Sequence, residues 1–507
     1  MDPRALATFR SPKPLVVLGA GGLGWSALPL VMRQLPCPAE DVVWIDAECG
    51  PRAREVAAEL GVQLVRLTVT QANHREVLAA AVAPGGLLLD LAYNLDTVDL
   101  LSWCHENRVR YVNASVELWD PYSLPEDPAA RTLYARHMRL RAEAAGWGVP
   151  GPTAVLDHGA NPGLVSHFVK KALHDLASFW LADPAVPDDE RRREVAAALA
   201  DQDHARLAMH LGVRTIHISE RDLQVTDVPK RPDEFVNTWS VEGLFEEATA
   251  PAELGWGTHE PALPPGAVTH PDGPRNQIAL PSSGYRTLVR SWVPAGEIVG
   301  MLVRHGEAFS ISEHLTVPGD AASAEPVYRP TVHYAYCLTD SAIASLHELT
   351  MRRGVLQPHH RVLHDEITDG ADQFGVLLAG CDYGAWWYGC VLDIHEARQL
   401  QPRANATLLP VAAGVMAAVA WAYENPDAGV LLPDMLPWEA VLELALPFCG
   451  PMVSTPVDWC PERGVAAEQQ CFPRDPSDYA IGKVLLDPAK ETTSVSSGAN
   501  PLKPTDA

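Results

Sequence analysis

Pro14-Leu15-Val16-Val17-Leu18-Gly19-Ala20-Gly21-Gly22-Leu23-Gly24 is the stretch whose reading decides the fold. A short, unbroken apolar run of this kind predicts a parallel strand buried on both faces. The glycine-rich run that follows leads into a helix-like segment at 25–35. Gly19, Gly21 and Gly24 allow a tight turn and close backbone approach to a pyrophosphate, which then sits on the helix N-terminus beside Gly22 and Leu23. A second apolar run, Val42-Val43-Trp44-Ile45, ends in Asp46, 22 positions beyond Gly24. An acid there can bind ribose hydroxyls, and no arginine immediately follows to receive a 2′-phosphate, so the pattern favours NAD over NADP.

Outward from this stretch the alternation continues. Helix-like 51–60 leads to a strand at 63–68, helix 73–81 to a strand at 87–91, and helix 98–107 to a strand at 111–114. An amphipathic helix at 133–145 precedes a strand at 153–156. This predicts an α/β fold with a Rossmann-type, doubly wound parallel sheet, whose ligands lie beyond the C-terminal strand ends. Thr70, Asn94, Asp96 and Glu117 stand just past those ends. Asn161, in the turn Gly159-Ala160-Asn161-Pro162-Gly163, is placed to face the cofactor as well.

From about 177 the texture changes. A charged helix at 188–211 is followed by clustered strands at 214–219, 234–240, 287–292, 297–304, 308–315 and 331–337. Further strands are expected at 375–378 and 386–392. Such clustering predicts a second α+β domain with a mostly antiparallel sheet. Residues 251–284, dense in Pro and Gly, read as a long surface excursion. The predicted organisation is a nucleotide domain over 1–160 and a substrate-binding and dimerisation domain over 161–404. Residues 405–460 are expected to pack back on the nucleotide domain, and 461–507 to form an extension with a disordered end.

Composition narrows the function. The 507-residue chain carries a formal charge of −25, which argues against nucleic-acid and anionic-membrane partners and suits cationic small molecules. The longest apolar run, at 408–423, is shorter than the ~20 residues that span a bilayer. Nine cysteines without a CxxC pair read as reduced thiols in a cytoplasmic protein, with no metal site. HExxH, GxSxG and Walker A patterns are all missing, which leaves hydride transfer as the chemistry to expect. Trp239, with Glu220 and Glu247 nearby in sequence, has the composition of an amine-binding site. A carboxylate supplies charge, and an indole face attracts a cation within ~6 Å. His305, in Val303-Arg304-His305-Gly306-Glu307, is a candidate for proton transfer.

Longer stretches carry a resemblance. Gly19–Gly24, Gly159-Ala160-Asn161-Pro162-Gly163, Ile216-His217-Ile218-Ser219-Glu220-Arg221-Asp222 and Pro229–Gly243 resemble the bacterial homospermidine synthases. So do Ala252-Glu253-Leu254-Gly255-Trp256-Gly257-Thr258-His259-Glu260, Tyr328-Arg329-Pro330-Thr331-Val332-His333-Tyr334-Ala335-Tyr336 and Asp365-Glu366-Ile367-Thr368-Asp369-Gly370. The likeness runs from about residue 14 to about 460, in order. It implies a saccharopine dehydrogenase-like protein that forms a homodimer and keeps NAD as a recycling prosthetic group. It also implies the reaction: putrescine is oxidised to an imine, ammonia departs, a second putrescine condenses, and reduction yields homospermidine. Spermidine can serve as donor, with diaminopropane leaving. By alignment Trp239 would hold cations by its indole face and Glu247 would assist near the reacting amine. Glu220, Glu117 and Asp372 would bind ammonium groups or move protons, and Asn161 and His305 would line the same pocket. The chain departs from the family at Asp157-His158, which is more polar than expected and could alter the nicotinamide edge.

Two alternatives accompany this reading. A carboxyspermidine-type enzyme needs an arginine clamp for a substrate carboxylate, and Arg221, Arg231 and Arg304 are available in sequence. A non-catalytic NAD-binding sensor would need none of the candidate carboxylates.

Overall fold

The computed structural model describes residues 11–123, 127–320, 325–461 and 476–486. Its first sheet is parallel throughout, with β1 (Lys13–Leu18), β2 (Val42–Asp46), β3 (Gln63–Arg66), β4 (Val82–Asp90), β5 (Arg110–Asn113) and β6 (Ala154–Val155). A seventh strand, Val430–Leu431, pairs with β6, giving the spatial order Val430–Leu431, β6, β5, β4, β1, β2, β3. The core residues of β1 and β2 are inaccessible on both faces, which is why these strands read as unbroken apolar runs.

The glycine loop leads from β1 into α1 (Gly22–Gln34). Gly24 is required by close approach: a Cβ there would stand 2.2 Å from the Gly19 carbonyl oxygen. Helices α2 (Thr97–Glu106) and α3 (Leu133–Gly146) flank the sheet, and α4 (Leu164–Ala182) leaves it after the Asn161–Pro162 turn.

The second sheet has ten strands among the described residues. Its centre is β7 (Thr215–Asp222), and β8 (Pro251–Gly255), β9 (Gln277–Ser283), β10 (Leu288–Val293) and β11 (Gly296–Met301) build one side with β12 (Thr331–Cys337). On the other side lie β13 (Ala371–Cys381), β14 (Gly384–Asp393) and the strand Met452–Val457. Its pairings are antiparallel except that β12 runs parallel to β7.

Several expectations are corrected. Residues 308–315 form no strand but belong to helix α6 (Gly306–His314), preceded in the chain by α5 (Val241–Thr249). Every α6 position from Gly306 to Ser312 is buried, so no polar face marks its period. Residues 251–284 are no mere surface excursion, because β8 and β9 enter the sheet and Ala252 and Leu254 are core. The 188–211 helix is two, Glu190–Ala200 and His204–Leu211, each capped by an aspartate. Residues 405–460 divide: α7 (Leu408–Glu424) packs on α1, whereas Met452–Val457 completes the second sheet. Cys460 is disulfide-bonded, not a reduced thiol. The expected tail at 491–507 lies outside the described residues. Among the described residues, no helix is long and apolar enough to cross a membrane.

Candidate active site

The C-terminal ends of β1, β2, β4 and β5 face the second sheet across a cavity of about 700 Å³. On the nucleotide side it is lined by Gly19, Gly21, Gly22, Leu23, Asp46, Asn94 and Glu117. On the opposite side are Asn161, Glu220, Trp239, Glu247 and His305. Twelve of the residues singled out in the sequence thus share one cavity. A Cβ added at Gly21 would meet nothing within 4 Å, so the loop leaves open space where a pyrophosphate belongs. Asp46 accepts hydrogen bonds from the Ala20 and Glu48 amides, at 2.5 and 2.7 Å, which hold its carboxylate beside the loop. Asn94 has left-handed backbone (φ 60°), and its Oδ1 is buried without a partner.

Four residues take other places. Gly24 lies beneath the loop. The Thr70 amide donates to Asn73 Oδ1 (2.7 Å) in a turn outside the cavity lining. Asp96, outside the cavity lining, is the N-cap of α2, accepting from the Val98 and Asp99 amides and pairing with Arg139 at 2.7 Å. Asp372 lies behind the cavity, opposite Asp222 in the β13–β7 register. Burial, with Glu220 and Asp222 close by, holds its carboxyl well above the usual range.

The substrate side is an aromatic and acidic wall. Tyr334 and Tyr336, two apart on β12, project to one face and stack with centroids 5.0 Å apart. Tyr336 accepts a hydrogen bond from Trp239 Nε1 at 2.8 Å. Glu220 Oε2 accepts from Tyr334 (2.6 Å) and Asn161 (2.7 Å), yet burial still pushes its pKa up to about 7. Desolvation, with a contribution from Glu246, pushes Glu117 up to about 7 as well. His305 is the N-cap residue of α6. Its Nδ1 lies 3.1 Å from Glu307 and its Nε2 3.3 Å from Glu247. Burial alone would favour the neutral ring. Glu307 and Glu247 together outweigh it and hold the pKa well above the usual value.

Glu246 also reaches the cavity, but Arg136 (2.7 Å) and Arg304 both bind it. Arg304 is therefore engaged away from the substrate space. Arg221 is bound to the Leu338 carbonyl and Asp340, and Arg231 is exposed. Among the described residues no lysine or arginine lines the cavity, whereas seven acidic side chains do. Sequence reading missed Tyr334, Tyr336, Glu246 and Glu307 as site residues. The period-two spacing of the tyrosines was the available signal for that pair. Asp157 turns away from the nicotinamide edge to face His137, 2.9 Å away, and His158 Nε2 sits 3.0 Å from His167.

A glycine-loop crevice joined to an acid-lined pocket on a second sheet defines a dinucleotide-binding enzyme of the saccharopine dehydrogenase type. Two family models agree: "Saccharopine dehydrogenase NADP binding domain" matches residues 15–155 and "Saccharopine dehydrogenase C-terminal domain" residues 159–455. A homospermidine synthase of Blastochloris viridis is 41% identical, covering 91% of this chain and 94% of its own. One from Mesorhizobium japonicum is 39% identical, over 88% of this chain and 91% of its own. The crystal structure of homospermidine synthase from Legionella pneumophila in complex with NAD superposes with a TM-score of 0.81 at 34% identity, covering 95% of this chain and 98% of that one. The chain belongs to the homospermidine synthase family.

Proposed function

We propose that this enzyme makes homospermidine by NAD-dependent, redox-neutral aminobutyl transfer from putrescine, or from spermidine, to putrescine. The observation that carries this reading is the lining of the cavity: carboxylates and Trp239 face the glycine loop, and among the described residues no lysine or arginine lines it to clamp a substrate carboxylate. That composition disfavours the carboxyspermidine-type alternative. The retained Asp46, glycine loop and carboxylates disfavour a non-catalytic sensor.

Gly21, the Asp46 carboxylate and Asn94 would hold NAD. When bound, NAD takes a hydride from the amine-bearing carbon and returns it at the end, leaving no net oxidation. The protein's part is binding and proton transfer. Trp239 presents its indole face to the cation, with its edge fixed by Tyr336. Glu220 and Glu117, each near pH 7 in proton affinity, are suited to take a proton from a substrate ammonium group at neutral pH. His305, held protonated between Glu307 and Glu247, is placed to donate to the departing amine. The second putrescine attacks the imine carbon, ammonia leaves, and the resulting secondary imine is reduced within the water-excluding pocket.

The enzyme is further proposed to act as a cytoplasmic homodimer, without nucleic-acid or membrane partners. The net charge of −25 disfavours nucleic-acid and anionic-membrane partners, and seven free cysteines among the described residues, against the one disulfide-bonded Cys460, favour a reducing compartment. Mass spectrometry of products from putrescine with substoichiometric NAD tests the function. Homospermidine and ammonia should exceed the NAD supplied many times over. NADH accumulating in step with product, or no homospermidine, would refute the reading.

A further inference from the structure

A pair of buried ionisable residues stands behind the site with no part in the reaction above. Asp157 follows β6, its backbone is left-handed (φ 54°), and its amide donates to Asn113 Oδ1 at 2.9 Å. A non-glycine residue in this region is held there by its surroundings. Its Oδ2 lies 2.9 Å from His137 Nε2, and both side chains are buried. The two press on Gly306. A Cβ there would come within 2.4 Å of Asp157 Oδ2 and 3.0 Å of His137 Nε2.

Gly306 joins His305 to Glu307. Glu307 points one oxygen at His305, at 3.1 Å, while its Oε2 is buried with no hydrogen-bond partner. A narrow void on that side is shared by Glu307, Asp157, His137 and Ser310. The Ser310 hydroxyl is already given to Asp434 at 2.5 Å. The one nitrogen of this shell without a hydrogen-bond partner, His137 Nε2, lies 2.9 Å from Asp157 Oδ2, and that second carboxylate borders the same void. Like charges in such a space repel, and the side chain's remaining favourable contact is His305.

We propose that Asp157, held by His137 against Gly306, is a positioning residue that turns Glu307 onto His305 by carboxylate–carboxylate exclusion. The inference rests on the reading of His305 as the proton donor. His305 is faced by Glu307 on its own helix, by Glu247 from α5, by Glu220 from β7 and by the Tyr334 ring at 4.6 Å. Neighbouring Arg304 is engaged by Glu246. Removing the Asp157 charge lets Glu307 turn toward the new amide, and His305 loses part of the field that keeps it protonated.

Asp157→Asn preserves shape and tolerates left-handed backbone. Histidine-selective NMR titration of the full-length protein, with His305→Gln identifying the signal, reads the effect directly. The His305 midpoint should fall by about one pH unit in Asp157→Asn. The alkaline limb of kcat should move with it, while KM for putrescine stays within about twofold. His137→Ala, which frees Asp157 from its partner, should lower the midpoint too, and His137→Gln, which restores a nitrogen near Asp157, should return it toward the wild-type value. The second pair of variants gives the reading if Asp157→Asn does not fold. An unchanged His305 midpoint in Asp157→Asn, or in His137→Ala should the former not fold, overturns the inference. Failure of the proposed function would instead appear as no homospermidine from the wild-type enzyme.

Discussion

Replacing Trp239 separates its two contributions. The Trp239 side chain lines the cavity, and its Nε1 donates to Tyr336 at 2.8 Å. A desolvated cation–π contact contributes about 2 kcal/mol. The hydrogen bond adds about 1 kcal/mol. Trp239→Ala loses both, about 3 kcal/mol, which at about 1.4 kcal/mol per decade is on the order of 100-fold in kcat/KM. Trp239→Phe keeps a weaker π face and loses the hydrogen bond, so its deficit should be roughly five- to tenfold. Steady-state formation of homospermidine from putrescine, followed by chromatography, measures both. Thermal melts of the same preparations check that the fold is retained. Gly243→Ala supplies an indirect version, because its Cβ would stand 2.8 Å from Trp239 Cζ3 and push the ring without altering its chemistry. Equal activity of the Phe and Ala variants, or a wild-type rate in Trp239→Ala, would refute the cation–π role.

Glu220 and Glu117 are raised to about 7, above the ordinary carboxylate value, so they are neutral below that pH and ionised above it. The KM for putrescine should therefore rise as pH falls from 8 to 6, approaching about tenfold per unit for one controlling group. Glu220→Gln should flatten the profile, and a flat wild-type profile would contradict the assignment. Gly24→Ala should prevent stable folding, since its Cβ would overlap the Gly19 carbonyl, whereas Gly21→Ala should melt as wild type yet copurify with far less NAD. Retention of NAD by Gly21→Ala would remove the loop from the binding site. Glu246→Ala leaves Arg136 and Arg304 buried without their shared partner. It should lower stability by about 3–5 kcal/mol in urea unfolding, and an unchanged midpoint would show that water or another acid compensates.

The nucleotide half was legible because its signals are local. A strand buried on both faces, a glycine loop and an acid after the next strand all lie within residues 14–46. Asp96 shows the limit of that logic. A polar residue beyond a strand end is equally a helix cap, and the α2 amides claim it. Helix α6 read as a strand because burial on all sides erases its period, and β8 hid in a proline-rich stretch. The aromatic and acidic wall was less legible still. Tyr336 meets Glu220, and Asp372 meets Asp222, only through strand register across distant parts of the chain. Glu307 acquires its role from the start of a helix that periodicity did not reveal. The family likeness supplied Trp239, Glu247 and Glu220, but not the tyrosines that hold two of them.

The pairing of Val430–Leu431 with β6, and the packing of α7 on α1, carry a consequence for biosynthesis. β1 belongs to a sheet whose seventh strand is translated only after nearly all of the second sheet. Until then the apolar face of α1 has no α7 to cover it, and the β6 edge stays unpaired. Nascent fragments ending before α7 should expose hydrophobic surface and depend on chaperones until α7 and Val430–Leu431 have been made.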